Sequence, residues 1–163
     1  MLTCPDSPKT LQHSEEKAAR VQMLQHQHIA PLTSFIYRIR RKFKSQNVPF
    51  FDPCDGGVKA KALFLLEAPG PTAIRSEFVS RNNPDETANN SFELHREAGL
   101  SRHDVALWNI VPWFVGRNDG RIRPVGIGDI REAVPYRDEL LNLLTHLRCV
   151  VLVGRKAQRG YAQ

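Results

Sequence analysis

The feature that most constrains this chain is Ala62-Leu63-Phe64-Leu65-Leu66, five apolar residues without a break, followed at once by Glu67-Ala68-Pro69-Gly70-Pro71. A short apolar run closed by turn residues fits a strand buried on both faces, as in a parallel sheet. Glu67 then falls at or just past the carboxyl end of the strand, the edge of an open parallel sheet where ligands bind. Its carboxylate is either a candidate for chemistry or a solvated residue in a plain strand-to-helix connection. Proline holds the residue before it in extended conformations, and Gly70 puts no side chain between its backbone and a ligand. A helix is therefore expected to start only after Pro71.

The rest of the chain supplies helices and two more strands. Residues 1–13, with Pro5 and Pro8 and no apolar period, read as a flexible tail. Two helices are expected over 14–47. In the first, Ser14 supplies a capping hydroxyl and Ala18, Val21 and Leu24 the apolar face. The second follows Pro31, capped by Thr33 or Ser34, with Phe35, Ile36, Ile39 and Phe43 as its stripe. Cations from Arg38 to Lys44 offset the macrodipole at its end. Residues 48–57 read as a loop. The polar run 82–90 predicts a helix capped by Asn83 with Pro84 in its first position, or capped slightly later, and Gly99 stops it. Residues 104–113 form a second strand ending at Pro112, which Asn109 interrupts. A buried amide needs partners, so Asn109 is either locked into loop backbone or reads a ligand. A third helix over 129–147 holds Pro135, and residues 149–153 form the last strand, ahead of Gly154 and a basic segment able to start another helix. Strands alternating with helices predict an α/β fold, a three-layer αβα sandwich around a central parallel sheet. Glu67, residues 109–113 and Gly154 then share one sheet edge.

At 163 residues the chain suits one domain. It holds no apolar run near the roughly 20 residues of a membrane helix, and its start lacks the apolar core of a signal peptide, so a cytoplasmic protein without membrane contact is expected. Cys4, Cys54 and Cys149 match neither a disulfide framework nor a metal pair; reduced thiols are expected, with Cys149 buried at a strand start. His26 and His28 lie on different helix faces, and no metal or cofactor is expected. The formal charge of +6 gathers in two basic stretches, Arg117, Arg121 and Arg123, then Arg148, Arg155, Lys156 and Arg159. Such a field favours a polyanion such as nucleic acid, or is a solvated surface that keeps the protein soluble.

From about residue 48 onward the chain resembles the uracil-DNA glycosylase superfamily, above all its bacterial and archaeal branch with a Gly-Glu-Ala-Pro-Gly type motif. Leu66-Glu67-Ala68-Pro69-Gly70 matches that motif except that Leu66 replaces the glycine. Trp108-Asn109-Ile110-Val111-Pro112 is similar to the second strand of the family, and residues 151–157 to its third strand and following helix start. The resemblance implies a DNA base-excision hydrolase, a monomer acting on uracil-containing or otherwise damaged DNA. By that similarity Glu67 and Asn109 are the catalytic pair: Asn109 reads the base edge and Glu67 orients water or stabilises the cationic sugar. Ala68, Pro69 and Gly70 line the base pocket. Phe78 or Phe92 stacks on the base, with Phe92 taken as the pocket residue. Arg117, Arg121, Arg123, Arg155 and Lys156 meet phosphates. A His-Pro-Ser type segment on a fourth strand has no counterpart, so the sheet is expected to lack its last strand, and a non-catalytic nucleic-acid-binding member is the alternative. The cysteines of the iron-sulfur branch are also missing, which implies no cluster.

Overall fold

The computed structural model describes residues 4–43, 47–116 and 122–162. Its elements are α1 (Ser14–Met23), α2 (Ala30–Phe43), β1 (Phe50–Phe51), β2 (Ala62–Leu66), α3 (Pro71–Ser76), β3 (Phe78–Val79), α4 (Glu86–Glu97), β4 (Val105–Asn109), α5 (Ile127–Leu143), β5 (Cys149–Leu152) and α6 (Arg155–Tyr161). The main sheet runs β4-β2-β5, with both pairings parallel. β2 is its centre, as its unbroken apolar run demands. Leu66 pairs with Asn109 and Leu65 with Leu152, so the three carboxyl ends form one edge.

Strand alternation divides the two faces. Leu65 and its neighbour Trp108 look toward α2, where Phe35 meets the Trp108 ring at 6.4 Å. Phe64 looks the other way, its ring 4.4 Å from that of His95 on α4. Helix α5 joins the α2 layer through Tyr136, which meets Phe43 and Trp113. The chain therefore leaves β2 on one face and returns from β4 on the other, the arrangement right-handed crossovers require when successive strands add to opposite sides of β2. Helices on both faces of a parallel sheet give the expected αβα layering, around a core that includes Leu63, Leu65, Ile36, Ile39, Phe35 and Leu140.

Several local expectations change. Residues 4–13 are docked where a flexible tail was expected: Leu11 is buried, its N–H donates to Asn82 O, and Asp6 pairs with Arg81 and Arg102. That docking brings Cys4 against Cys54, and the two form a disulfide, in place of the reduced thiols expected from their wide spacing. Cys149 is exposed rather than buried, because β5 is an edge strand that leaves Val151 37% exposed. The expected loop 48–57 contains β1, which pairs in parallel with β3. Thr33 lies inside α2 and donates back to Leu24 O at 2.8 Å instead of capping. Ser14 is the first helical residue, preceded by His13 without a side-chain cap. Helix α4 is capped at the later of the two expected positions, by Asp85 accepting from Ala88 N at 3.0 Å. Gly99, at φ +64°, follows its end in the left-handed conformation that glycine tolerates. Among the described residues no helix is long and apolar enough to cross a membrane.

Candidate functional site

In an open parallel sheet the crevice opens where neighbouring strands send their connections to opposite faces. Here those strands are β2 and β4, and a cleft of about 310 Å³ lies at their carboxyl ends. Ala68-Pro69-Gly70-Pro71 form one wall. Leu66, Leu107 and Asn109 form the floor, on the sheet face that looks toward α4. The far side is the segment after β3, with Ser80, Arg81, Asn83 and Asp85, continued by the first turns of α4. Proline chemistry explains the near wall: α3 begins at Pro71, so Gly70 before it stays extended, and residues 68–71 run along the cleft.

Asn109 is 5% exposed, and its Oδ1 has no hydrogen-bond partner among the described residues. A locked loop amide would be satisfied, so locking into loop backbone, one of the two alternatives from the sequence, does not account for this oxygen. Glu67 is elsewhere. Leu66 is the residue in register with Asn109, and one step along a strand reverses the side chain, so Glu67 points to the α5 face and is absent from the cleft lining. Its carboxylate accepts from Val125 N at 3.3 Å. Lys156 joins the same latch by donating to Val125 O at 2.7 Å. Arg123 is held by both oxygens of Asp129, at 2.6 and 2.7 Å, which keeps Asp129 below the usual carboxylate range and Arg123 above its own. Arg155 is exposed at the start of α6. Arg117 and Arg121 lie outside the described residues.

The structure thus brings Asn109 together with Ala68, Pro69 and Gly70 along one cleft, and turns the Glu67 side chain away from it to the Val125 backbone. Phe92 is half-buried outside the cleft lining, with the Arg81 guanidinium 5.5 Å from its ring centre. Phe78 is fully buried in the core beside Phe50, and so is no stacking surface. The cleft has a carboxylate that the sequence reading passed over, Asp85, which was one of several residues in a polar run read only as a helix start. Asn83 was weighed there only as a cap.

Behind the far wall lies a buried ionic network. Arg102 donates to Asp55 Oδ1 and Asp52 Oδ2 at 2.7 Å each, to Asp6 Oδ1 at 3.1 Å and to Asn82 Oδ1 at 2.7 Å. Arg20 reaches Asp52 at 3.1 Å and Asn82 at 2.9 Å, and Ser80 donates to Asp52. Arg81 spans network and cleft: it lines the cleft and its guanidinium is paired with Asp6. Burial pushes against ionisation of Asp52, yet Arg102 and Arg20 hold it below the usual range. Asp55 goes the other way, with burial pushing it up to about 7 against the pull of Arg102 and with help from the charge of Asp52. Arg102 itself stays firmly charged, because three carboxylates outweigh its burial. The network fixes the segment that carries Ser80 to Asn83, and so the shape of the cleft.

The chain matches no family model and no curated protein. A second cleft, of about 600 Å³, is bordered by the disulfide, Lys59, His103 and Arg102. It is larger, but it lies away from the strand ends and from Asn109.

Proposed function

We propose that the chain takes an extruded base of DNA into the cleft beside Asn109 and hydrolyses its N-glycosidic bond, the activity implied by its resemblance to the uracil-DNA glycosylase superfamily. One observation carries the proposal. Asn109 Oδ1 is a buried acceptor without a partner among the described residues, on a residue that stands at the carboxyl edge of two parallel strands and lines the same cleft as Ala68, Pro69 and Gly70. A base N–H gives that oxygen the donor it needs, and the volume of about 310 Å³ is in the range of small-ligand pockets. Extrusion costs a few kcal/mol, which edge hydrogen bonds and apolar contact with Leu66 and Leu107 offset. Phosphate contact falls to exposed cations such as Arg155 and Arg75.

The reaction also needs a carboxylate to orient water or stabilise the developing sugar cation. Asp85 is in the cleft, whereas Glu67 has the motif but lies on the far side of the strand end. The test is base excision from oligonucleotides carrying a single uracil, hypoxanthine or xanthine, single- and double-stranded, with Asn109→Leu, Asp85→Asn and Glu67→Gln alongside. Asparagine caps helices as well as aspartate does, so Asp85→Asn removes charge without removing the cap. Wild-type product that falls about a hundredfold or more in Asn109→Leu and in one carboxylate variant supports the proposal. A folded wild-type chain that releases no base from any strand refutes it.

A second reading, a nucleic-acid-binding protein without chemistry, is favoured by the commitment of Glu67 to the Val125 backbone. Binding that falls steeply with salt in the absence of excision is its signature.

A further inference from the structure

The cleft holds a second unsatisfied acceptor. Asn83 is 3% exposed and lines the same cleft as Asn109. Its Nδ2 donates to Phe78 O at 2.9 Å, which fixes the orientation of the amide, since the opposite one would set oxygen against oxygen. Its Oδ1 is left without a partner among the described residues, as is Asn109 Oδ1. The large majority of buried side-chain amide oxygens are paired, because an unpaired one bears the full desolvation of the atom. Two residues lining one small cleft thus each carry a buried oxygen that lacks a donor among the described residues.

The placement of Asn83 is built rather than incidental. Its backbone N–H donates to Ser80 O at 3.3 Å and its carbonyl accepts from Asp85 N at 2.9 Å. The neighbouring Asn82 is tied to Arg102, Arg20 and Asp6 in the buried network. The side chain is thus held from both ends, with its acceptor spare. Arg81, the cation of the cleft, is occupied by Asp6, and among the cleft-lining side chains Asn83 and Asn109 are the ones whose buried oxygens lack a partner among the described residues.

We infer that this cleft selects a heterocyclic base offering two separate hydrogen-bond donors, one for Asn109 Oδ1 and one for Asn83 Oδ1. The inference rests on reading the cleft as a base pocket. Uracil attached through N1 offers one N–H and leaves one of the two oxygens unpaired; a base with a ring imide or lactam N–H and an additional amine or hydroxyl satisfies both. A site built to hydrogen-bond a polar group rejects the analogue lacking it far more strongly than a hydrophobic pocket distinguishes two sizes.

The test changes the ligand and leaves the protein intact. Binding to the full chain is measured by calorimetry for two pairs of nucleosides: 2′-deoxyguanosine against 2′-deoxyinosine, and 5-amino-2′-deoxyuridine against 2′-deoxyuridine. Each pair differs by one amine. The expected result is that the two-donor member of at least one pair binds about ten- to a hundredfold more tightly, and that Asn83→Leu, its folding checked by thermal melting, removes the margin. Equal affinities within both pairs, or no binding of any nucleoside, overturn the inference whatever the excision assay gives. A margin that depends on Asn83 in a protein that excises nothing keeps the inference and removes only the glycosylase reading.

Discussion

Replacing Arg102 by leucine tests whether the buried network holds the far wall of the cleft. The Arg102 side chain is 7% exposed and donates to four acceptors, three of them carboxylates. Asp52 keeps Arg20 as a partner after the change, and Asp6 keeps Arg81, but among the described residues Asp55 keeps no paired cation. Removing one member of a buried ion pair costs about 3–5 kcal/mol, because the other charge stays buried and uncompensated. For a chain of this length that corresponds to a fall in Tm of roughly 6–20 °C. The measurement is urea unfolding at pH 8, above the value of about 7 that Asp55 has while Arg102 pulls it down, so that the wild type carries the charged pair that the variant loses. Arg38→Leu serves as the control. Arg38 pairs with Glu139 where the two side chains are 47% and 40% exposed, and such a surface pair contributes under about 1 kcal/mol. In an Asp55→Asn background the loss on removing Arg102 should shrink, since the two act through each other. Equal, small losses for Arg102→Leu and Arg38→Leu would refute the reasoning.

Opening the Cys4–Cys54 bridge, by Cys54→Ser or by a dithiol reductant, should cost about 4 kcal/mol from loop closure across a separation of 50 residues, read as a drop in the urea midpoint; unchanged unfolding would mean that the bridge does not form in solution. The pH profile of Asp55→Asn has a definite sign. An unfolded aspartate loses its proton near pH 3.9 and the buried Asp55 only near 7, so the stability this group contributes is complete below about 3.9 and is lost as pH rises to about 7. Asp55→Asn, which does not titrate, should therefore gain on wild type across that window, and a constant difference in urea stability from pH 4 to 7 would contradict the assignment. Gly56→Ala should destabilise markedly, because its Cβ would lie 2.2 Å from His103 O; a variant that melts like wild type would show that the loop yields easily.

The sheet was legible because three short apolar runs each ended at a turn signal, and parallel pairing put their carboxyl ends on one edge. Asn109 was legible for the same reason: an amide inside an otherwise apolar strand has to be accounted for. Glu67 shows where such reading stops. Motif and position pointed to it, but the side of the sheet it faces depends on register with β4, which pairs Asn109 with Leu66. The fate of the amino-terminal segment was hidden for a related reason. Asp6, Asp52, Asp55, Arg81 and Arg102 are scattered over nearly a hundred positions, each unremarkable alone, and only tertiary packing gathers them into a network that docks residues 4–13 and aligns Cys4 with Cys54. Asn83 was hidden by its surroundings, since in a run of polar residues nothing marks the one whose oxygen is left over.

A ligand bound at the carboxyl edge between β2 and β4, as proposed above, has to meet Asn109. The most direct measurement is a titration of isotope-labelled protein with a short uracil-containing single strand, following amide signals by NMR. The expected result is that the side-chain amide of Asn109 and the backbone amides of Gly70 and Thr87 shift together, and that Asn109→Leu abolishes the shifts at the other two. Shifts confined to residues around Lys59 and His103, with Asn109 unmoved, would contradict it.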